Sequence, residues 1–532
     1  MTRLTTISAL LASTLLLAGL ARYFAFLPHI FDLAFDDELV YMGVGTDFGH
    51  LIQWPAGFPG IYASYENGGF YSSIYGALSA FFADPIDLYF YGGTIVVLLA
   101  VLLGFAGSLL LSDSLLVAIA ITCPVILSGE LMTWPRVSFA AIAIIALGFA
   151  AMARLGSVRI KVAILLCAAY LAAFVRPEFV LSFYALLALQ LGLLGVALYR
   201  LRRGPPVARA DFAAMGLALG FVAILSAAWS FPVLEGGERA FVAFGAHYAV
   251  QYGATHKLDI DPWIDWRVVM AQQFPGAGTV YQAFRVAPDK VLLYFANNLQ
   301  ELAGSIGTII GGTARRYPIF AAIWTACVLV WAVSAYRRRG TAPAADKRRW
   351  IDLALVLAFA APPAIATVTI FPRHHYIVLL LFAGSSALAV LARPMRTPVS
   401  ATLATIIAGA FAVSVAPTPA VPQPLLDSVR ALRAQPPVRR MFEIDGGWCY
   451  LVMPRCIEDY AEWMPDGASF DAYRRERGID SIMLSPRLTV FETTHAPDFP
   501  QQVEQLKTTE GWQSTELGNG YVLLRAPPKT GS

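Results

Sequence analysis

Read only for apolar and polar positions, the chain is a succession of long apolar runs with short polar punctuation, ending in a stretch of mixed composition. The first run, Ile7 to Leu27, carries one charge, Arg22, and is long enough to cross the hydrocarbon core of a bilayer as a helix. Further runs lie near residues 88–111, 115–133, 137–153, 160–175, 178–199, 212–233, 317–336, 351–371, 376–392 and 399–416, eleven in all with the first. Another stretch, 291–313, contains Asn297, Asn298, Gln300 and Glu301, which lipid penalises unless protein covers them. The expected fold is an α-helical polytopic membrane protein of about 11 transmembrane helices with a small C-terminal α/β domain. Met1 to Leu27 has the length of a signal peptide but lacks a strong basic n-region and a clear small-x-small cleavage site, so it reads as a retained helix.

Composition agrees with this pattern: 57% of residues are hydrophobic and 14% charged, with a mean hydropathy of +0.59. Positive charge then orients the spans. With a cytoplasmic amino terminus and no crossing at 291–313, the clusters Arg154/Arg159/Lys161, Arg200/Arg202/Arg203/Arg209, Arg337/Arg338/Arg339/Lys347/Arg348/Arg349 and Arg393/Arg396 all fall inside. A crossing there would move the densest cluster outside. The expected outward parts are the loops 28–87 and 234–316, the PRHHY turn and everything after residue 416.

After the membrane module, 1–416, the Pro-rich linker 417–424 leads into residues 425–532, with strand-like YLVM and SIMLS, helix-like FDAYRRERG and a terminal GYVLLRA. The near-neutral charge of this domain carries no nucleic-acid footprint. No internal repeat is evident, which weakens a secondary-transporter reading. Cys123, Cys167 and Cys327 lie in apolar spans and read as packed small hydrophobes, whereas Cys449 and Cys456 fall in an expected oxidising compartment and are expected to pair. His256, Asp259, Asp261 and Asp265 gather in the second outward loop, but their spacing fits no compact calcium loop, and ordinary loop or cap roles are expected.

The first outward loop opens on FDDELVY at 35–41, three carboxylates beside the first span. They are either helix caps and solvated loop residues or parts of a site. Further along, Ile74, Ala77, Leu78, Phe81 and Phe82 repeat at the spacing of an amphipathic surface helix. Tyr62, Tyr65, Phe70, Tyr71 and Tyr75 suit an interfacial aromatic belt or a stacking surface for sugar or lipid.

A first helix, an acidic doublet followed by a tyrosine and a long loop with a surface helix resemble the GT-C class of membrane glycosyltransferases. Asp37-Glu38 with Tyr41 is similar to the DE-x-x-Y pattern of its polyprenyl-phosphate-sugar branch, including bacterial lipid A and protein glycosyltransferases. SGELMTWPRVSF at 128–139 is similar to the short turn after the third helix, VRPEF at 175–179 to a recurrent R-P-E turn, and FPRHHY at 371–376 to the R-Y type turn ahead of a late helix. The resemblance covers roughly residues 1–416. It implies an inverting transfer of one sugar from a polyprenyl-phosphate donor to a lipid or glycan acceptor of the envelope; ligation of a lipid-linked glycan is the alternative within the class. A secondary transporter and a catalytically inactive scaffold are the alternatives outside it.

Glycosyl transfer needs a carboxylate to take the acceptor's proton and cations to receive the departing phosphate. The resemblance puts Asp37 in the role of base, with Asp36 as the alternative and Glu38 in support. For the phosphate or acceptor the candidates are Arg373, His374 and His375, against snorkelling at the interface, and Arg176 with Glu178, against an ion pair that orients helices. Arg136, Tyr41 and, if 291–313 does not cross, Arg315 and Arg316 complete the set. Metal use varies across the resembling class, and no metal or other cofactor is expected as a requirement. Oligomeric state stays open.

Overall fold

The computed structural model of the chain describes residues 3–35, 38–39, 41–43, 45, 69–132, 136–203, 208–229, 231–232, 238–263, 265–337, 347–393, 399–415, 420–452, 456–461, 464–465, 468–488 and 498–527. Among these, 7 helices are long and apolar enough to cross a membrane: Thr6–His29, Pro85–Ser112, Pro177–Leu201, Arg209–Ala227, Pro318–Arg337, Arg348–Thr369 and His374–Ala392. Shorter apolar helices occupy Leu115–Leu127, Val137–Met152 and Ser400–Ser414. The chain is a helical membrane protein with a small C-terminal sheet. It divides into two compact units, one of Met1–Ala25, Gln53–Tyr71 and Thr94–Pro417, the other of Phe26–Ile52, Ser72–Gly93 and Thr418–Ser532.

In the first unit, helix directions follow from side-chain contacts. Thr405 donates to the Ser8 carbonyl at 2.8 Å and Phe411 covers Gly19, so Ser400–Ser414 runs parallel to Arg3–Phe26. A Cβ at Gly19 would stand 2.5 Å from the Phe411 ring, so only glycine permits this approach. Helix His374–Ala392 is entered from Lys347–Thr369 and leads by a short connection into Ser400–Ser414. The carboxyl ends of Arg3–Phe26, Lys347–Thr369 and Ser400–Ser414 therefore share one end of the bundle with Arg373.

This arrangement decides the ambiguous stretch 291–313, which belongs to the 29-residue helix Pro288–Arg316. Near its start, Asn298 donates to the Val368 carbonyl at 2.8 Å. At its finish, Arg316 and Tyr317 lie within electrostatic reach of Tyr23. Both partners belong to the Arg373 end of the bundle, so the helix lies across that end and does not run through the bundle. Two of its polar residues turn to protein and two, Gln300 and Glu301, stay exposed: Asn298 is fully buried and accepts from Gln251 at 3.1 Å, while Asn297 donates to Gln251 at 3.2 Å. Val291, Tyr294 and Asn298 form its buried stripe, packed on helix Glu238–His256 through Phe244 and Tyr248.

Away from that end, Lys161 forms a buried ion pair with Asp352, which Arg393 also approaches at 3.5 Å. Arg159 meets Asp211 at 3.0 Å, and Ser157 donates to the same carboxylate. The basic groups read as cytoplasmic anchors thus also tie helices together.

The second unit is built on a five-stranded sheet of β1 (Arg440–Glu443), β2 (Ile457–Tyr460), β3 (Ser481–Leu484), β4 (Gln513–Gly518) and β5 (Tyr521–Arg525), in the order β2-β1-β3-β5-β4. β1 pairs in parallel with β2 and β3; β5 runs antiparallel to both β3 and β4. The β4–β5 turn passes through Asn519 and Gly520, both at positive φ, the conformation a tight hairpin demands. Tyr450, Leu451 and Val452 of YLVM, expected as a strand, fall instead in the helix Trp448–Val452. Gly446 and Gly447 at positive φ swing the chain off β1, and Trp448 and Leu451, three apart, then bury together, a helical spacing.

This unit is larger than the expected 425–532 because the membrane-proximal segments 26–52 and 72–93 belong to it. Asp32 accepts from the backbone N–H groups of Leu425 and Leu426 at 2.8 and 3.2 Å, capping the helix Pro424–Arg433 from almost 400 residues away. Val421 N–H donates to the His29 carbonyl at 3.1 Å, and Gln423 to that of Phe31 at 2.8 Å. The surface-helix expectation is corrected in part: the helix is Gly69–Leu78, Tyr71 and Tyr75 are fully buried, and among the described residues Phe81 alone of the named aromatics stands largely exposed.

Candidate functional site

In the first unit, three segments far apart in sequence bring their charged residues together at one end of the helical bundle. Arg176 begins the short turn Pro177–Phe179, where proline ends one helix and starts the next. Its Nε donates to Glu178 at 2.9 Å, and its guanidinium lies 4.6 Å from the Tyr376 ring centre. Arg373 precedes helix His374–Ala392 and lies 4.5 Å over the Trp263 ring. His375 is buried within the fields of Arg176, Arg373, His247 and His374. His374 Nδ1 donates to Glu130 at 3.0 Å.

His247, from helix Glu238–His256, stacks on Phe371 with the rings 6° from parallel. Burial, reinforced by the Arg373 charge, pushes its pKa down to about 3, so the ring is neutral at neutral pH. Its buried Nδ1 has no hydrogen-bond partner among the described residues. Tyr294 lies within the fields of Arg373 and Tyr376, which joins the transverse helix Pro288–Arg316 to the cluster. Two arginines and three histidines thus converge with two glutamates on an aromatic floor of Trp263, Tyr376 and Phe371. Such a setting suits an anion, because guanidinium groups over aromatic faces are oriented before a ligand arrives.

Beside the cluster is an apolar groove lined by Phe105, Val125, Phe139, Leu381 and Phe382 and, at its polar part, by Glu130. Glu130 therefore belongs to both the groove and the charged cluster. A ligand with a long apolar tail and an anionic head matches that pairing.

Other predicted residues lie elsewhere. Arg136 is buried at the start of helix Val137–Met152. Arg315 and Arg316 are exposed at the far end of the transverse helix, 21 residues or about 30 Å from Tyr294, and do not join the cluster. Asp261 and Asp265 accept backbone N–H groups of Trp263 and Asp261 at 2.9 Å, and His256 meets the Tyr252 carbonyl, which gives these residues loop and cap roles. Among the described residues no group of three or more His, Cys, Asp or Glu could hold a metal ion.

Asp36 and Asp37 of the acidic motif lie outside the described residues, as do Tyr62 and Tyr65. In the second unit, Glu38 is fully buried and accepts a hydrogen bond from Tyr75. Tyr41 is half-buried in the helical turn that follows. Phe35 stacks on Trp448 at 4.2 Å between ring centres, and Tyr521 meets both rings edge-on at 6.0 and 4.9 Å. Leu39 packs on Gly447, and Tyr450 on Gly43. Cys449 and Cys456 are joined by a disulfide, with a Cα–Cα distance of 4.9 Å, next to Trp448. Near this turn Glu443 is buried, and burial together with Glu458 and Asp445 holds its carboxyl well above the usual range.

Glu130, His247, Trp263 and Tyr294 were not singled out from the sequence. Glu130 had a signal, standing in the same short SGE turn as Arg136; the other three sit in helical or loop stretches whose pattern only reports packing. In comparisons with family models, curated proteins and solved structures, no family model, curated protein or solved structure matches this chain.

Proposed function

We propose that this protein is a GT-C-like glycosyltransferase that moves one sugar, with inversion, from a polyprenyl-phosphate donor to a lipid or glycan acceptor on the outer side of a bacterial cytoplasmic membrane. The observation that carries this reading is the convergence of Arg176, Arg373, His374 and His375 beside an apolar groove that shares Glu130 with them. A lipid phosphate needs those two features side by side. In the reaction, Asp37 or Asp36 takes the acceptor hydroxyl's proton as its oxygen bonds to the anomeric carbon. The bond from that carbon to the phosphate oxygen breaks, and the phosphate leaves with the electron pair. The eleven crossings belong to the same reading, as the seven long helices, the three shorter apolar ones and Val158–Ala173. The amino terminus is then cytoplasmic and the sheet domain extracytoplasmic.

The test is transfer from radiolabelled undecaprenyl-phosphate hexoses and pentoses into the envelope fraction of native membrane vesicles. Asp37→Asn should abolish transfer while expression and extraction stay normal. Undiminished transfer removes Asp37 as the base. Label that accumulates inside vesicles without a new glycosidic bond supports transport instead.

A further inference from the structure

The helix Pro288–Arg316 lies across the Arg373 end of the bundle and is not among the 7 helices long and apolar enough to cross a membrane. Its buried stripe, Val291, Tyr294 and Asn298, faces protein. A second stripe does not. Leu292, Ala296, Leu299, Ala303 and Ile310 all stand exposed, with Leu292, Leu299 and Ile310 at 56%, 52% and 64%. Their spacing, i, i+4, i+7, i+11 and i+18, keeps the five on one face of a helix. Glu301 and Thr308, about half a turn round from the stripe, are exposed as well and give the helix a polar side. The short helix Val280–Val286 just ahead adds Tyr281 and Phe284, exposed three residues apart.

What covers the stripe follows from where the helix is tied. After Arg316 comes Tyr317, whose backbone leaves the helical region, and then at once the membrane-length helix Pro318–Arg337, which exposes Ile319, Leu329 and Val333. Toward the other end, Asn298 is bonded to the Val368 carbonyl, one residue from the finish of Lys347–Thr369. Both attachments are thus at the ends of membrane-length helices, where acyl chains give way to headgroups. A helix held lengthwise at that level, with an apolar stripe outside its protein contacts and a polar side beside it, is arranged to lie in the plane of the boundary. Exposed Arg285 ahead of it and Arg315 at its end suit anionic headgroups.

We infer that Pro288–Arg316 is an in-plane membrane anchor, its stripe of Leu292, Leu299 and Ile310 seated in the phospholipid leaflet at the Arg373 end of the bundle. Lipid and not a second copy of the chain covers the stripe, because the apolar exposure continues along the chain into the membrane-length helix that follows. The inference goes beyond the glycosyltransferase reading and holds whatever chemistry the charged cluster performs.

The experiment uses the full chain, with Cys123→Ala, Cys167→Ala and Cys327→Ala, in vesicles of phosphatidylethanolamine and phosphatidylglycerol. A fluorophore is placed at Leu299→Cys, Ile310→Cys, Glu301→Cys or Thr308→Cys, one at a time. Lipids brominated near the headgroup should quench the Leu299→Cys and Ile310→Cys labels about threefold or more above the other two, as a stripe buried about 5–10 Å into the boundary requires. Aqueous iodide should give the opposite order. Stronger quenching of the Leu299→Cys label by lipids brominated at the chain ends than near the headgroup marks a crossing helix and overturns the inference. Iodide that reaches all the labels equally overturns it too, as does protection of both stripe labels from lipid and iodide alike, the mark of a second copy. A measurement on the unaltered chain keeps the test intact if the cysteine replacements prevent folding. With a phospholipid photoreactive at the top of its acyl chain, peptides from 292–310 should be tagged within about twofold of those from 318–337. Tagging of 318–337 with none at 292–310 overturns the inference.

Discussion

Arg433 holds both carboxylate oxygens of Asp84 at 2.8 Å, a two-point contact between residues 349 positions apart. Asp84 also accepts from the Ile86 N–H at 2.7 Å, so it caps the turn that opens the span Pro85–Ser112 while Arg433 fastens it to the helix Pro424–Arg433. The guanidinium hydrogen bond is the main cause of a lowered Asp84 pKa. A depressed acid contributes stability above its unfolded pKa and loses it as pH falls through the folded value, so the clasp should weaken only in acid. Arg433→Met should destabilise by about 1 kcal/mol or less, since both groups are partly exposed, and should flatten the acid limb below pH 4. Thermal unfolding in detergent between pH 3 and 7 measures both.

Arg373→Ala should lower sugar transfer about 100-fold, the scale of losing one preorganised charge from a developing phosphate, with thermal stability little changed. Arg373→Lys should recover only part, because a lysine cannot present a planar fork over Trp263. Equal rates for all three forms would separate Arg373 from the chemistry.

His247 is neutral and buried, with a folded pKa near 3 against an ordinary 6.5. Its contribution to stability is complete above pH 6.5 and is lost as pH falls toward 3, by at most about 1.4 kcal/mol per pH unit. His247→Phe keeps the stack on Phe371 and removes the titration. A pH dependence of the melting temperature between 6.5 and 3 that is identical in the two proteins would contradict the assignment.

The Lys161–Asp352 pair is buried on both sides, so Asp352→Ala leaves an ammonium without its counter-charge and should cost about 3 to 5 kcal/mol. Replacing both, Lys161→Met with Asp352→Leu, should cost far less, because no uncompensated charge remains between the helices and Arg393 is partly exposed to solvent. Denaturation of the two variants in the same detergent compares them directly.

The membrane-length helices were legible from the chain because an apolar run in lipid has one dominant backbone solution, the self-bonded helix. Arg373 and Arg176 were legible as candidates for a related reason: charge at a helix end beside apolar spans needs a partner. The polar stretch 291–313 was undecided, since composition alone cannot say whether Asn297 and Asn298 meet lipid or protein. Only the hydrogen bond of Asn298 to Val368 and the nearness of Arg316 to Tyr23 lay that helix across the bundle.

By itself, the sequence determined the class of the molecule, the helical spans and the residue types available for charge chemistry, all of which follow from local hydropathy and spacing. Tertiary structure alone decided that Arg176, Arg373 and His375 share one site, that Arg315 and Arg316 do not, and that Phe35 rests on Trp448. Those relations join segments hundreds of residues apart, and a pattern with a period of a few residues carries no information about which distant surfaces exclude water together.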